Sequence, residues 1–369
     1  MVYIIKFIKI ILNIIYSFFK LFKTKNKITL ISRLSNNKTP DFILLEEQLK
    51  KDLPQYEIVV LCKKMDNKIS YVFHMIKQMY HISTSKLVIL DSYCILISML
   101  KHKESLKVIQ IWHALGLMKK AGYAILDKEE GRNKKVALAS NMHKNYDYIL
   151  TSSKACINSI GKVFNYDNKH IYSVPLPRID LLKDKKHIGK ISNDILNKYP
   201  ILNKKTNILY APTFRKNEEK LKEKLDELCD AIDYKKYNLI VKLHPLSKIK
   251  PSNDKVIIDN TFSTTDMIYV SDYVISDYSS IIYEAGIMNK KLIFYAFDLD
   301  EYSIKRSFFI DYKKELPGPI LKNGKEIIKF IKDDNYDKYN NDLITKYVDC
   351  SIDNYTKNMV DFIKKIIKK

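Results

Sequence analysis

The chain has 369 residues and a formal net charge of +22, from 64 Lys and Arg against 42 Asp and Glu. Hydrophobic residues make up 46% of it, which argues for a large folded core and against a disordered chain. Its five cysteines are odd in number and widely spaced, which argues against a disulfide framework or a zinc site. We therefore expect a protein of a reducing compartment that folds as two domains.

The excess of basic residues favours an anionic partner, which could be nucleic acid, a membrane surface or a phosphate-rich substrate. The sequence has no zinc-finger spacing, no RNP-type aromatic strand and no helix-turn-helix signature. We therefore expect no nucleic-acid partner, and a solvated basic surface accounts for most of the lysines.

The segment 1–26 is apolar and basic, and residues 1–27 contain six lysines and no acid. Seven polar residues fall on one helical stripe roughly 120° wide, with apolar residues over most of the remaining surface. They are Lys6, Lys9, Asn13, Ser17, Lys20, Lys23 and Lys27. The longest run between lysines, Ile10 to Phe19, is about half of a membrane span. We predict an amphipathic helix in the plane of an anionic leaflet. A transmembrane anchor and a helix packed on the core are the alternatives.

Apolar strand-like runs then alternate with amphipathic helical patterns. The first series of strands is Lys27–Ser32, Glu57–Cys62, Lys86–Leu90, Lys107–Trp112, Tyr148–Thr151 and Ile171–Val174. The second series is Asn207–Tyr210, Asn238–Leu243, Val256–Asp259, Tyr273–Ile275 and Lys291–Phe294. The clearest helical patterns are Asp41–Lys51, Ser92–Lys101, Asn217–Ile232 and Ser279–Met288. Such alternation predicts α/β domains with parallel sheets covered on both faces.

Pro175, Pro177 and the polar stretch Lys183–Asn193 separate the two series. We predict two Rossmann-like domains, 27–185 and 200–350, with a cleft between them. A basic helix over 351–369 closes the chain and is expected to contact either the first domain or the membrane.

Residues with useful chemistry follow the predicted strands, where open α/β sheets bind their ligands. His113 follows one strand exit, within Gln110–Gly122, and could act as a general base; a lone histidine is more often structural. In Tyr210–Arg215, the arginine could pair with a phosphate. Lys242 and His244 place a cation and an imidazole at another strand end.

The turn Ser276–Glu284 joins a strand to a helix, and its unpaired amides would favour an anion. Taken alone, this turn is better explained as an ordinary capped helix, because capping serines are common. A fifth segment runs from Tyr302 to Tyr312 and is followed by Leu316–Ile320. Four of the five segments lie in the second domain, and three of these would surround a pyrophosphate with Arg, Lys, His and amides.

The ordered set WHALGLMKKAG, APTFR, KLHP, SDYSSIIYEAG and RSFFIDY…LPGPI resembles the CDP-glycerol glycerophosphotransferases of teichoic-acid synthesis. The resemblance implies a GT-B fold and a peripheral location on the cytoplasmic face of a bacterial membrane. It also implies transfer of glycerol phosphate from CDP-glycerol to a hydroxyl of a lipid-linked (undecaprenyl-diphosphate) saccharide acceptor, with release of CMP.

By the same resemblance, His113 is the base at the acceptor hydroxyl and His244 a second catalytic residue. Residues expected to bind substrate are Trp112, Arg178, Pro212, Thr213, Arg215, Lys242, Asp277, Ser279, Ser280, Glu284, Arg306 and Asp311. Arg178 lies in a segment similar to the family's Gly-x-Pro-Arg-x-Asp, in which Pro175 replaces the glycine. Ala114 and Gly116 resemble the priming enzymes more than the polymerases, which read His-Gly-Thr-Pro.

No cofactor is required by these residues. Asp298 and Asp300 form a D-x-D that could recruit a divalent ion such as Mg²⁺, although a turn at the sheet edge is the favoured interpretation. CDP-ribitol or a nucleotide sugar would be alternative donors on the same fold, and a non-catalytic basic membrane-binding protein is the rival from another class. The sequence does not determine the oligomeric state, and a homo-oligomer is one option.

Overall fold

The computed structural model describes residues 1–368, except for the side chain of Lys338. The last residue of the predicted C-terminal helix, Lys369, lies outside the described residues. The chain divides into two compact units: unit 1 is Met1–Asp180 together with the segment that begins at Ser351, and unit 2 is Leu181–Cys350. Each unit contains one six-stranded sheet.

Unit 1 begins with a long helix and continues as alternating strands and helices. Its elements up to the last strand are α1 (Val2–Phe19), β1 (Lys27–Ser32), α2 (Pro40–Asp52), β2 (Glu57–Cys62), α3 (Lys68–Thr84), β3 (Leu87–Leu90), α4 (Ile95–Met99), β4 (Lys107–Gln110), α5 (Lys134–Ala139), β5 (Tyr148–Thr151), α6 (Ile157–Phe164) and β6 (Ile171–Ser173). The strand order is β2-β1-β3-β4-β5-β6, with every neighbouring pair parallel.

Unit 2 follows a short helix, α7 (Ile179–Lys183), at the boundary between the units. Its elements are α8 (Lys185–Lys198), β7 (Thr206–Tyr210), α9 (Glu219–Ala231), β8 (Tyr237–Val241), β9 (Ile257–Ile258), α10 (Thr264–Tyr269), β10 (Tyr273–Ser276), α11 (Ile281–Ile287), β11 (Lys291–Tyr295), α12 (Leu299–Lys305), β12 (Ile320–Leu321), α13 (Gly324–Asp333) and α14 (Asp342–Tyr347). The strand order is β12-β11-β10-β7-β8-β9, again parallel throughout.

The central strands are continuous aliphatic runs because both faces of each sheet are covered. All six residues of β1 and all four of β3 and of β10 are buried. Parallel sheets produce this pattern since helical crossovers cover both faces. The predicted α/β architecture with two parallel sheets is confirmed, and the short edge strand β12 is an addition to the predicted set.

The C-terminal helix α15 (Tyr355–Ile367) belongs to unit 1. The carboxylate of Asp180 accepts hydrogen bonds from the amides of Tyr355 and Thr356, both at 2.8 Å, at the start of this helix. Further along, the ammonium of Lys364 donates to Asp52 of α2 at 2.8 Å. The end of the chain is therefore tied to the first sheet's helical layer.

The polar stretch Lys183–Asn193, predicted to separate the two series, is largely helical: Lys183 ends α7, and the regular helix α8 begins at Lys185. The Asp184 side chain caps it by accepting from the amides of Lys186 and His187. The helix also has an apolar stripe, because Ile188, Ile191 and Ile195 recur at helical spacing, and Ile195 is buried. The lysines on the solvent face make the segment polar overall, so the sequence alone does not indicate a helix here.

The N-terminal helix α1 ends at Phe19, so Lys23 lies beyond it and Lys27 belongs to β1. The prediction that Lys27 extends the polar stripe of the helix is wrong, because its ammonium is buried and donates to the Thr84 hydroxyl at 2.9 Å. By length and composition α1 could cross a membrane, and 6% of it is buried inside the protein.

Two glycines of the motif segments have structural roles. Gly122 has φ +55°, and a Cβ there would lie 2.3 Å from the Val163 carbonyl oxygen. Gly318 packs so closely on β11 that a Cβ would lie 2.0 Å from the Leu292 carbonyl oxygen. Backbone atoms cannot move aside as a flexible side chain can, so both positions require glycine.

We therefore predict that Gly318→Ala destabilises unit 2 by about 1–3 kcal/mol, because the added methyl forces the Pro317–Pro319 segment away from β11. Thermal unfolding followed by circular dichroism measures the change. Gly189→Ala is the matched control, since a methyl group added at this position of α8 would meet no other atom within 4 Å. Equal melting temperatures for Gly318→Ala and wild type would contradict this account of the glycine.

Candidate functional site

The predicted segments of unit 2 meet at one edge of its sheet. Strands β10, β7 and β8 are neighbours, and their exits lead into Asp277, Ala211–Arg215 and Lys242–His244. The exit of β11 adds Asp298 on the other side of β10. This is the edge at which open parallel sheets bind ligands.

Arg215 joins three of these strand exits through a buried ion-pair cluster with Asp277 and Asp298. Its Nε and Nη2 donate to the two carboxylate oxygens of Asp298 at 2.7 and 2.9 Å. Its Nη1 lies 2.8 Å from Asp277 Oδ2 and donates to the Thr213 carbonyl at 2.6 Å. The Arg215 side chain is 10% exposed and that of Asp277 fully buried. We call these three residues the Arg215 triad.

The charges of the Arg215 triad stabilise one another. Burial by itself lowers the pKa of the Arg215 guanidinium, but the carboxylates of Asp277 and Asp298 outweigh burial and raise that pKa. Burial would raise the pKa of Asp298, but the hydrogen bonds and charge of Arg215 hold it below its usual value. One cation and two anions leave the triad with a formal charge of −1, so Arg215 has little attraction left for a phosphate.

Asp277 also holds the backbone of two motif segments. Its Oδ1 accepts from the amide of Thr213 at 2.9 Å and from that of Tyr278 at 2.5 Å. Pro212 is buried beside this contact, and Thr213 Oγ1 is buried without a hydrogen-bond partner among the described residues. The loop after β7 and the turn after β10 are therefore locked together.

Aromatic stacking brings the fifth segment to the same turn. The rings of Tyr278 and Tyr302 stack with centroids 3.9 Å apart, and Phe308 and Tyr312 pack on them. The Tyr312 hydroxyl donates to the Asp277 carbonyl at 3.0 Å. Arg306, at the end of α12, is partly exposed, and Asp311 is exposed and accepts from the Lys313 amide at 3.2 Å.

Ser279 and Ser280 lie partly exposed at the start of α11, where Ser280 occupies the N-cap position without a side-chain capping bond. Among the described residues, the Ser279 hydroxyl receives only a long contact, 3.4 Å, from the Ile281 amide. Glu284 is buried one turn further on and accepts a hydrogen bond from the Thr265 hydroxyl. Both serine hydroxyls are thus placed to meet a ligand.

Lys242 and His244 differ sharply in exposure. The Lys242 ammonium donates to the carbonyls of Asp259 and Phe262, both at 2.6 Å, so it fixes the loop between β9 and α10. Asp259 is buried, and its carboxylate also accepts from Lys198 and from Tyr199, each at 2.8 Å. His244 is exposed.

The exposed ring of His244 is oriented by its own loop. Its Nδ1 accepts from the Leu246 amide at 3.1 Å, and the ring lies 5.2 Å from that of Phe214. Since Nδ1 accepts, the neutral ring carries its proton on Nε2. That nitrogen can donate a hydrogen bond to a ligand.

In unit 1, His113 follows β4 after a sharp change of backbone direction. Trp112 has φ 62°, and its amide donates to the Gln110 side chain at 2.9 Å. The indole and imidazole rings are 4.2 Å apart. Trp112 Nε1 and His113 Nδ1 are both buried without a hydrogen-bond partner in the part of the chain that the structure describes.

Arg178 is bound to Asp41 and supports the His113 backbone. Its Nε and Nη2 donate to Asp41 Oδ2 at 2.8 and 2.6 Å, and its amide donates to Oδ1 at 2.9 Å. Nη2 also donates to the His113 carbonyl at 3.1 Å. Asp41 is 1% exposed, so this pair is largely removed from water.

Burial lowers the pKa of His113 to about 4, and the positive charge of Arg178 acts in the same direction. His113 is therefore neutral at physiological pH and able to accept a proton. Nearby, burial raises the pKa of Asp91 to about 6, and the charge of Asp41 adds to this effect. Neither Asp41 nor Asp91 was predicted as a site residue, although Asp91 directly follows the buried run Leu87–Leu90.

Residues 1–368 contain no group of three or more His, Cys, Asp and Glu residues placed to hold a metal ion. Within the predicted D-x-D, the Asp298 carboxylate is bonded to Arg215 and to the Tyr278 hydroxyl, whereas Asp300 is exposed on α12. The two aspartates therefore have different surroundings, and Asp298 serves the Arg215 triad.

Comparison with known proteins identifies the class of fold and then the family. The fold is similar to that of the wall teichoic acid polymerase TagF, with a TM-score of 0.77, 22% identity and 98% of both chains covered. It is less similar to the UDP-N-acetylglucosamine 2-epimerase of Listeria monocytogenes, at a TM-score of 0.57. The predicted GT-B fold is confirmed. Residues 14–358 match the model of the CDP-Glycerol:Poly(glycerophosphate) glycerophosphotransferase family, and the chain belongs to this family.

The curated relatives include enzymes for both alditols. The teichoic acid ribitol-phosphate primase of Bacillus spizizenii is 31% identical over 84% of this chain and 83% of its own length. The teichoic acid glycerol-phosphate primase of Bacillus subtilis is 31% identical over 80% of this chain and 77% of its own length. The poly(ribitol-phosphate) polymerase of Bacillus spizizenii is 28% identical, and the match spans 55% of its length.

We predict that Arg215→Ala destabilises unit 2 by about 3–5 kcal/mol, because it leaves two buried carboxylates without their cation. Differential scanning calorimetry should show a fall in melting temperature on the order of 10 °C. Lys216→Ala, at the adjacent exposed position, is the control and should melt as wild type does. A loss below about 1 kcal/mol for Arg215→Ala would show that the triad does not hold the loops together.

We predict that the His113 ring titrates near pH 4, which proton NMR of the Cε1 resonance measures, with His113→Gln providing the assignment. Because the folded-state pKa lies below the unfolded value of about 6.5, the neutral form stabilises the fold above that pH. This contribution is lost as the pH falls from about 6.5 through 4. A titration midpoint at or above about 6.5 would contradict the burial of this ring.

Proposed function

We propose that this protein transfers glycerol phosphate from CDP-glycerol to a hydroxyl of a lipid-linked saccharide acceptor in teichoic acid synthesis, or in synthesis of a related cell-wall or capsule polymer. CMP is the second product. The family match over residues 14–358 carries this proposal, since its members are phosphotransferases of this polymer class. The TagF structure obtained with CDPG supports a CDP-linked donor.

The donor pyrophosphate is assigned to the turn between β10 and α11. Ser279 and Ser280 offer partly exposed hydroxyls and the first amides of α11, and such amides favour phosphate oxygens. His244 can donate from its exposed ring at the neighbouring strand exit. Arg215 supports this turn through its ion pair with Asp277. It therefore orients the hydroxyls and amides that bind the phosphate and does not itself contact the donor.

The buried Glu284 is assigned to the polar edge of the donor nucleoside, next to Thr265. Arg306 and Asp311 flank the aromatic cluster and are assigned to the glycerol end of the donor. Lys242 acts through the Asp259–Phe262 loop that it holds, because its ammonium is bonded there.

The reaction joins the acceptor oxygen to the phosphorus that carries glycerol and breaks the bond from that phosphorus to the bridging oxygen. CMP leaves with the electron pair, and the fixed amides and hydroxyls stabilise the charge that develops on it. His113 accepts the proton of the acceptor hydroxyl. An anionic substrate close to the imidazole favours its charged form and so raises its pKa toward the working pH.

CDP-ribitol is the second candidate donor, because the ribitol-phosphate primase matches this chain as well as the glycerol-phosphate primase does. We favour glycerol from the motif resemblance. We also favour the addition of one or a few units over polymerisation, because Ala114 and Gly116 differ from the His-Gly-Thr-Pro of the polymerases.

The same proposal places the protein on the cytoplasmic face of a bacterial cell membrane. Support comes from α1, whose apolar side chains are mostly exposed to solvent. A peripheral enzyme at this surface would meet a lipid-linked acceptor without leaving the leaflet.

A donor panel tests the proposed chemistry. Purified protein with a lipid-linked disaccharide acceptor should release CMP from CDP-glycerol, and less or none from CDP-ribitol and from UDP-sugars. Faster turnover of CDP-ribitol would replace the glycerol assignment with ribitol. Turnover of a UDP-sugar alone would overturn the proposal that the donor is a CDP-alditol.

We predict that His113→Asn lowers kcat by about 10²–10⁴-fold, the range typical of a lost general base, while the Kd for CDP-glycerol stays within about twofold of wild type. A discontinuous assay of CMP release gives kcat, and calorimetric titration gives the Kd for CDP-glycerol. His187→Asn, on α8, is the matched control and should retain wild-type kcat. A large loss of donor affinity in His113→Asn would place this residue at the donor and not at the acceptor.

A further inference from the structure

Helix α1 is attached to unit 1 by polar side chains as well as by apolar contacts with α3. The Asn13 amide donates to the Met99 carbonyl at 3.1 Å, and its oxygen accepts from the Lys101 amide at 2.8 Å. The Tyr16 hydroxyl lies 3.1 Å from His102 Nδ1, and Tyr16 is the one fully buried side chain of the helix. These contacts fix the rotation of α1 about its axis.

The fixed rotation turns the apolar side of α1 outward. Its outward-facing large side chains, all at least 40% exposed, include Phe7, Ile11, Ile14 and Phe18. Helix α3 packs beside α1 and exposes Ile69 and Phe73 as well. A cavity of about 440 Å³ between these helices has only apolar lining residues. An apolar surface of this kind is typical of a helix that lies in a membrane interface.

A second cavity, of about 420 Å³, lies on the polar side of α1. Its basic lining residues, which we call the lysine pocket, are Lys9, Lys101, Lys103 and Lys144. They come from α1, from the loop after α4 and from the loop before β5. The Asn145 side chain bonds the carbonyls of Ile97 and Leu100 at 2.8 and 3.1 Å, so the two loops are held at a fixed separation.

The positive charge of the lysine pocket is not compensated. In the described part of the chain, Lys9, Lys101 and Lys144 have no carboxylate within 4 Å. Burial lowers the pKa of Lys9, and repulsion from Lys144, Lys101 and Lys6 lowers it further. A bound anion would relieve this repulsion.

The two acids that also line the cavity do not neutralise it. Asp147 accepts from the Val108 amide at 2.8 Å and pairs with Lys107 at 3.7 Å, and Glu104 is exposed. Lys103 donates to the Phe22 carbonyl and so secures the end of the N-terminal segment. The cavity is therefore shaped by protein contacts and left with a net positive charge.

We propose that the lysine pocket binds the phosphate of an anionic membrane lipid, while the outward face of α1 and the exposed side chains of α3 lie among the acyl chains. Helix α1 has a fixed orientation, with an exposed apolar face and a lysine-lined cavity beside it. These two features fit a molecule that has both a hydrocarbon tail and a phosphate. This inference rests on the membrane location in the proposed function and goes beyond it, because it assigns a specific headgroup site and does not depend on the transfer reaction.

Co-sedimentation of the full chain with vesicles tests the proposal. Vesicles of phosphatidylcholine alone are compared with vesicles that also contain phosphatidylglycerol. The pocket variant carries Lys9→Gln, Lys101→Gln and Lys144→Gln. The control carries Lys325→Gln, Lys329→Gln and Lys332→Gln on the exposed face of α13, so both variants lose the same charge.

The pocket variant should lose at least about tenfold in partition onto phosphatidylglycerol vesicles, and the control less than about twofold. Equal losses would show that general electrostatic attraction suffices and would overturn the site. Titration with inorganic phosphate forms the second arm. Saturable phosphate binding that the pocket variant abolishes, with unchanged vesicle partition, would show a free-anion site and overturn the lipid assignment. Vesicle binding needs neither donor nor acceptor, so failure of the transfer assay leaves this test unaffected.

Discussion

The Arg215 triad is the interaction on which the site in unit 2 depends. A single guanidinium binds two carboxylates that follow two neighbouring strands, and it lies on the loop that follows a third. Arginine suits this position because its planar fork can bond two acceptors at once and stays charged at any physiological pH. Asp277 in turn accepts hydrogen bonds from the backbone amides of Thr213 and Tyr278, so the turn before α11 is held in place by the protein itself.

The same device occurs in unit 1. Arg178 pairs with the buried Asp41 and also bonds the carbonyl of His113, as Arg215 bonds the carbonyl of Thr213. In both units an arginine of a recognisable motif is bound mainly by carboxylates of its own chain. Each arginine holds a neighbouring segment in place: Arg178 bonds the His113 carbonyl, and Arg215 bonds the Thr213 carbonyl. This explains how the His113 imidazole and the hydroxyl-rich turn Ser276–Glu284 can be held firmly although both lie in loops.

The sequence predicts the sheet far better than it predicts the charge pairing. The bounds of β2 and β5 are as predicted because each is a short apolar run between polar residues. Helix α8 is not predicted from the sequence, because its many lysines make the segment resemble a polar linker despite its isoleucines at helical spacing. Asp41 and Arg178 are 137 positions apart in the sequence, and local sequence patterns cannot predict a contact over that separation. The arginines were therefore predicted as phosphate ligands from their motifs, while their carboxylate partners were not anticipated.

A double-mutant cycle in donor binding tests the supporting role of Arg215 most directly. The Kd for CDP-glycerol is measured by calorimetry for wild type, Arg215→Met, Asp298→Asn and the double variant. If Arg215 acts by balancing buried carboxylates, Arg215→Met weakens binding strongly and the added Asp298→Asn restores it by about tenfold or more, which is a coupling of about 1.4 kcal/mol. A double variant that binds no better than Arg215→Met would contradict the account, because it would mean that the guanidinium itself holds the donor phosphates.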